Sequence, residues 1–476
     1  MSAAADVVVA IDQGSHATRA VAFDVHGGRL AVASAAVDTR RPAPDRVEHD
    51  GEALVAGAMG ALDELAGQVP ATRWRAAGVA TQRSTIACWD RATGAVLAPV
   101  ISWQDRRQAG WIGRMGDVAA RVHLLTGLPL SPHYGASKLR WCLDHVHEVR
   151  AALRENRLCA GPLASLLLAR LLEERPFATD EANASRTQLW SPGARDWSVE
   201  LLDLFGVPRQ VLPRLLPTRA AFGTLRVRGT RVPLLICTGD QAAVPFAAGR
   251  LDASAAYVNL GTGAFALRPV GGPLLAPPLL TSVLASDEAS VCYVLEGTVN
   301  GAGSAIDWFE QREGMPAAPF LAALDTAPPA TADAAHFLNG ISGLGSPWWV
   351  PEFESRFEGG SSPADRLRAV VESMAFQLRA NLDQMAVHAG RPARIVASGG
   401  LTRSRYLLRT LSSLAGLPVD RLDDAEATAR GLACLVAGQP GDWRGPARER
   451  FEPVPDPVLE QRYADWTALL ESALGG

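Results

Sequence analysis

Two aspartates in this chain of 476 residues stand where a carboxylate can take part in chemistry. Asp12 closes the apolar run Val7-Val8-Val9-Ala10-Ile11, and Asp240 follows the run Val232-Pro233-Leu234-Leu235-Ile236-Cys237-Thr238-Gly239. Both runs read as buried strands, so each aspartate leaves a strand end. Two glycine-bearing turns, Gly14-Ser15 and Gly261-Thr262-Gly263, accompany them. Glycine has no Cβ, so such turns let backbone N–H groups approach phosphate oxygens closely. Together these are the parts that phosphoryl transfer from ATP requires. The turns cradle phosphates, one carboxylate helps to hold Mg²⁺, and a second accepts the proton of an attacking hydroxyl. Asp12 suits the metal role and Asp240 the base. No Walker A loop and no G-x-G-x-x-G opens a helix after a strand, which leaves a hairpin type of phosphate site. Taken singly each feature has a plainer reading, since an aspartate at a strand end commonly serves a turn.

The elements that must position these residues follow from periodicity. Val7–Asp24 reads as a hairpin with a buried first strand, and Ala255–Leu267 repeats that pattern about 250 residues later. The repeat suggests two duplicated lobes, each lending one turn to a shared cleft, although unrelated glycine hairpins would look the same. Residues 52–67 carry helical spacing, Ala76–Ala80 and Thr85–Trp89 read as strands, and Asp90–Gly94 reads as a turn. Arg226–Asp240 is expected to be a strand leading toward the second lobe. Further on, Ala364–His388 is a long helix, Arg394–Ser398 a strand into Gly399-Gly400, and Ser404–Ala415 another helix. Loops are expected at Pro328-Pro329 and at Gly438–Gly441. Strands alternating with helices argue for an α/β class with mostly parallel sheets.

Composition narrows the class of protein. Apolar residues make up 48% and charged residues 20%, the balance of an ordinary globular chain. A net charge of −4 offers no basic footprint for nucleic acid and no polybasic run for a membrane. Six cysteines without C-x-x-C spacing read as buried structural thiols. The longest apolar stretch, Leu158–Ala169, is too short to span a bilayer, and no signal peptide is apparent, so a cytoplasmic location is expected.

Taken in order, the motifs resemble the FGGY carbohydrate kinase family, and within it the glycerol kinases, over roughly residues 6–438. The resemblance rests on Ala10-Ile11-Asp12-Gln13-Gly14 with Arg19 and Phe23-Asp24, on Thr81-Gln82-Arg83 with Thr85 and Trp89-Asp90, and on Ser102-Trp103-Gln104-Asp105-Arg106-Arg107. It continues through Thr126–Pro132, Asn183-Ala184-Ser185-Arg186-Thr187, Gly239-Asp240-Gln241, Leu295-Glu296-Gly297 and Ser342–Pro347. It implies a two-lobed actin-like (ribonuclease H-like) fold, divided into residues 1–244 and 245–476, with the active site in the interlobe cleft. ATP, Mg²⁺ and a small polyol or sugar are implied as ligands, in a homodimer or tetramer. Asp240 would be the base and Asp12 would lie near the metal. Gly14, Ser15, His16, Arg19, Gly261, Thr262 and Gly263 would follow the phosphates, and Gly303, Asp307, Gly399, Gly400 and Ser404 the adenosine. Arg83, Ser84, Trp103, His133, Asp240, Gln241 and Phe265 would line the acceptor pocket.

The departures bear on the acceptor. Glycerol kinases place a Glu where Ser84 stands and a Tyr where His133 stands. His16, Asp307 and Ser404 likewise replace a Thr, a Gln and an Asn of that group. Losing the carboxylate at residue 84 removes hydrogen-bond acceptors worth about 1.5–3 kcal/mol each. A glycerol-like polyol is therefore the leading acceptor, with a tetritol or a ketose such as a pentulose as its rival. A degenerate ATP-binding regulatory protein is the alternative from another class.

Overall fold

Short turns between strands decide the architecture. The computed structural model describes residues 5–327, 330–331, 334–360 and 362–475, so the expected Pro328-Pro329 loop lies outside the described residues. The first sheet contains β1 (Val7–Gln13), β2 (Ala17–Asp24), β3 (Arg29–Ala36), β4 (Trp74–Thr81), β5 (Arg219–Val227) and β6 (Thr230–Gly239), in the order β5-β6-β4-β1-β2-β3. The second contains β7 (Ala255–Leu260), β8 (Ala264–Val270), β9 (Leu280–Ser286), β10 (Val291–Val299), β11 (Arg394–Ser398), β12 (Val419–Leu422) and β13 (Arg448–Phe451), in the order β9-β10-β8-β7-β11-β12-β13. In each sheet the first strand pairs antiparallel with the strand after its glycine turn and parallel with a later strand on its other side. The two lobes thus share this central arrangement, the duplication expected of the actin-like fold, and differ at their sheet edges.

Two expectations are corrected. The sheets are mixed rather than mostly parallel, because tight turns can join only antiparallel neighbours. Arg226–Asp240 is not a single strand. Its basic start is the turn of the antiparallel hairpin β5–β6, where Arg228 (φ 45°) and Gly229 (φ 82°) both take positive φ, as a two-residue hairpin turn demands.

The predicted helices form as Gly51–Gln68, Pro363–Ala389 and Arg405–Ala415. Asp50 caps the first by accepting from the N–H groups of Glu52 and Ala53, and Ser362 caps the second by accepting from Asp365. All six cysteines are unpaired, five of them buried. Among the described residues no helix is long and apolar enough to cross a membrane.

One helix crosses between the lobes. Ala427–Val436 lies in sequence between β12 and β13 of the second sheet, yet Leu432, Ala433, Leu435 and Val436 share a core with Val8, Ala10 and Val21 of the first. Its packing is close enough that a Cβ on Gly431 would overlap the carbonyl oxygen of Ala243. We expect Gly431→Ala to destabilise the protein by about 1–3 kcal/mol, as overpacking against backbone does. It should also lower kcat, because the displaced segment begins at Asp240. Gly60→Ala is the control: it sits in the helix Gly51–Gln68 with nothing within 4 Å of its new Cβ. Thermal melts should show the first variant falling and the second unchanged or raised.

Candidate active site

Strand register brings the predicted residues to one edge. β4 lies between β1 and β6 and runs parallel to both, with Gln13 opposite Thr81 and Thr81 opposite Gly239. The next residues along each strand, Gly14, Gln82 and Asp240, therefore leave from the same carboxyl edge, where α/β sheets characteristically hold ligands. In the second lobe Asn259 is opposite Ser398, so Gly261 and Gly399 leave from one edge as well. The lobes meet here: the Asn259 amide donates to Gln241 Oε1 at 2.7 Å.

The first turn is tied to the residues that follow β4. Gly14 N–H donates to the Ala17 carbonyl at 3.0 Å. Ser15 Oγ donates to Gln82 Oε1 at 3.1 Å and accepts from Trp103 Nε1 at 3.0 Å. Trp103 N–H in turn donates to Thr85 Oγ1 at 3.1 Å. His16 is exposed, and Arg19 reaches Glu426 at 3.4 Å.

The second turn is built for close approach. Gly261 N–H donates to Gly263 O and Gly303 N–H to Gly261 O, both at 3.0 Å, which seats the helix Gly303–Glu313 on the turn. A Cβ on Gly303 would come within 2.9 Å of the Gly261 carbonyl oxygen. Gly399 has φ 96° and lies against the Leu260 carbonyl, whereas Gly400 faces open space. Phe265, half-buried on β8, is opposite Asn259. Of the residues expected on the adenosine side, Asp307 is exposed, and the Ser404 hydroxyl caps the helix Arg405–Ala415 by accepting from Leu407 N–H.

The electrostatics divide the carboxylates into two sorts. Asp12 is 7% exposed, and its carboxyl is pushed up to about 7 by burial and then by the negative charge of Asp240, against the pull of Arg19. Asp240 is also raised by burial, opposed by Arg83, whose Nε lies 4.0 Å away, and by the Gln241 N–H that donates to Oδ1 at 2.7 Å. Asp240 and Glu426 both act on Asp12 as negative charges, and among the described residues no three His, Cys, Asp or Glu side chains are grouped as a ready-made metal site. Asp12 alone would offer an oxygen donor of the kind a hard divalent ion takes. Glu296 is the opposite case. Burial works to raise it, but Arg186 and Arg83 overcome that and hold it at about 2. Arg83 forks onto it at 3.1 and 3.2 Å, Arg186 bonds it, and Ser282 Oγ donates at 3.0 Å.

Arg83, Ser84, Trp103 and His133, four of the residues expected at the acceptor, come together. The Trp103 and His133 rings are 5.7 Å apart, and the His133 and Tyr134 rings 5.0 Å. Ser84 takes φ 62°. Its carbonyl and that of His133 both accept from Lys138 Nζ, at 3.0 and 2.6 Å. Sequence reasoning gave no role to Glu296, Arg186, Tyr134 or Lys138. The available signal was a lone carboxylate inside the apolar run Val294-Leu295-Glu296, which a strand buries only with a cationic partner.

Both lobes resemble known proteins. Residues 7–259 match the N-terminal domain, and residues 256–438 the C-terminal domain, of the FGGY family of carbohydrate kinases. Glycerol kinase of Cereibacter sphaeroides (strain ATCC 17025) is 32% identical over 96% of this chain and 97% of its own. Glycerol kinase of Allorhizobium ampelinum is 33% identical over 94% of this chain and 95% of its own. The structure of Plasmodium falciparum glycerol kinase with ADP superposes with a TM-score of 0.90 over 99% of both chains, at 21% identity.

Proposed function

Because the chain belongs to the FGGY family of carbohydrate kinases, we propose that its ATP-dependent phosphorylation of a polyol or sugar uses Asp240 as general base. The observation that carries this reading is the position of Asp240: it stands at the shared carboxyl edge beside Arg83, with its basicity raised by burial. A base raised toward the working pH takes a hydroxyl proton more effectively than an ordinary carboxylate. The acceptor oxygen attacks the γ-phosphorus as its proton passes to Asp240. Arg83, held in place by Glu296, orients the acceptor with Trp103, Gln241 and Phe265, and Ser84 and His133 complete the pocket. The turns at Gly14-Ser15-His16 and Gly261-Thr262-Gly263, with Arg19, take the phosphates. Gly303, Asp307, Gly399, Gly400 and Ser404 border the adenosine. Asp12 would hold Mg²⁺, which when bound supplies charge neutralisation for the phosphates. The bodies of the lobes divide at 244/245, with Ala427–Val436 returning to the first.

A glycerol-like polyol is the leading acceptor, and Ser84 with His133 supports a tetritol or ketose as the second reading. The test is a panel of polyols and ketoses offered with Mg·ATP while ADP release is followed. Release with none of them would sink the assignment of this pocket.

Phosphoryl transfer to a hydroxyl rather than to water calls for a closed site. We therefore expect an ATP analogue plus acceptor to draw the lobes together, pivoting on the Gln241–Asn259 and Arg83–Glu296 contacts. Small-angle scattering should show a smaller radius of gyration with both sites filled. An unchanged radius at saturation would count against closure.

A further inference from the structure

We propose that the acceptor is a short polyhydroxy acid, whose carboxylate occupies the place beside Ser84 and Lys138 that a glutamate side chain fills in glycerol kinases. This deepens the kinase reading above and rests on it.

The argument is an inventory of charge around one end of the pocket. Five cations converge there: Arg83, Arg106, Arg107, Lys138 and Arg186. Their carboxylate partners are accounted for. Glu296 is taken by Arg83, Arg186 and the Ser282 hydroxyl. Asp105 and Glu48 are taken by Arg107, and Asp105 also accepts from Val47 N–H. Asp240 is needed for the acceptor hydroxyl. Among the described residues, Lys138 and Arg106 are left with carbonyls alone. Lys138 is 1% exposed and donates to the carbonyls of Ser84 and His133, the two positions where the pocket departs from glycerol kinases. Arg106 donates to the carbonyls of Trp103 and Asp105 at 3.0 and 3.2 Å.

A second observation points to a missing ligand group. Ser84 is 5% exposed, and its hydroxyl has no hydrogen-bond partner among the described residues. Buried hydroxyls are ordinarily satisfied, so this one awaits an acceptor or donor from the ligand. The buried Nε of Arg186 is unpartnered too. The titrations agree. Burial and then Arg106 push the Lys138 ammonium well below its ordinary range, and burial followed by Arg106, Lys138, Arg186 and Arg83 does the same to His133. Lys138 and Arg106 therefore have no carboxylate in hydrogen-bond contact, and Asp105 acts on them only through space. A neutral polyol leaves Lys138 without a contacting counter-ion, whereas a carboxylate bound here supplies one.

The transfer step is conventional. The hydroxyl at the end of the acid remote from the carboxylate attacks the γ-phosphorus. The new O–P bond forms as the bond from the γ-phosphorus to the β–γ bridging oxygen breaks. ADP leaves, the proton passes to Asp240, and nothing is oxidised or reduced.

The test pairs each acid with its neutral counterpart: D-glycerate with glycerol, D-erythronate with erythritol, L-threonate with threitol, with D-xylulose as the ketose. Glycerol 3-phosphate serves as the phosphate-bearing control. At least one acid should exceed its neutral partner in kcat/KM by roughly tenfold to hundredfold, the effect of a hydrogen bond to a charged group. Ser84→Glu should then reverse the preference, lowering use of the acid by a similar factor and raising use of glycerol. A neutral polyol or xylulose used as well as the best acid overturns the proposal while leaving the kinase reading intact. A preference for glycerol 3-phosphate overturns it in favour of a phosphate slot. If no acceptor releases ADP, the kinase reading of the pocket is what fails, and calorimetry still decides the anion site. With a non-hydrolysable ATP analogue present, wild-type protein should bind erythronate at least tenfold more tightly than erythritol. Equal binding, or binding of neither, overturns the proposal.

Discussion

Asp240→Asn should abolish turnover while leaving the nucleotide bound. The amide keeps the shape of the side chain, and its oxygen can still accept from Gln241 N–H, now donating at 2.7 Å. Arg83 stays in place because its fork is on Glu296, with Asp240 at only 4.0 Å from its Nε. What disappears is the ability to accept a proton, and general base catalysis typically contributes about 10²–10⁴-fold. Retention of more than about a tenth of the wild-type kcat would remove Asp240 from the role. The substitution has two further expected consequences that a merely disruptive change would not show. Asp12 is raised to about 7 partly by the charge of Asp240, so its carboxyl should fall and binding of Mg·ATP should hold or tighten. The folded state raises the pKa of Asp240, which means that its ionised form opposes folding above its ordinary pKa. The melting temperature at neutral pH should therefore hold or rise, a trade of stability for function at a catalytic carboxylate.

What could be read from the sequence was what neighbouring residues settle among themselves. The hairpins read at Val7–Asp24 and Ala255–Leu267 were legible because an apolar run, a glycine turn and a second apolar run specify one local structure. Asp12 and Asp240 were found by the same reasoning, as polar residues at the ends of buried strands. The hairpin β5–β6 was not, because its turn begins with Arg228 at positive φ, where glycine or asparagine is the usual signal. Ser404 was read through the family pattern, while the structure uses its hydroxyl as a helix cap, a role that serine before a helix ordinarily plays. The crossing helix illustrates a different limit. The run Leu432-Ala433-Cys434-Leu435-Val436 announces burial, but nothing local says which lobe's core receives it. The Glu296 cluster lies beyond local reading for the same reason. Its arginines are 213 and 110 residues away in sequence, and only the tertiary fold brings them to the carboxylate.

That cluster gives the largest expected effect on stability. Glu296 is 1% exposed and is the shared counter-ion of Arg83 and Arg186. Glu296→Gln leaves two buried guanidinium groups with an amide, and breaking a buried pair by removing one partner costs about 3–5 kcal/mol. The titration points to a similar size. A carboxyl held at about 2 instead of its ordinary 4.5 corresponds to about 3 kcal/mol of stability at neutral pH. Because the folded pKa is depressed, this contribution is fully present above pH 4.5 and is lost as the pH falls toward 2. Urea denaturation should therefore separate wild type and variant by about 3 kcal/mol at pH 7, with the gap narrowing at pH 3. A gap that stays the same at both pH values would mean that Glu296 is not held ionised by the two arginines. Activity should change in step, for a reason specific to this site. Released from Glu296, the Arg83 guanidinium has Asp240 as its nearest carboxylate, at 4.0 Å. Closer pairing would lower the basicity of Asp240 and withdraw Arg83 from the acceptor, so kcat should fall and KM for the acceptor rise. Replacing Arg83, Arg186 and Glu296 together by apolar residues of similar size should recover much of the stability and none of the activity. That outcome would separate the cluster's part in folding from its part in holding Arg83 on the acceptor.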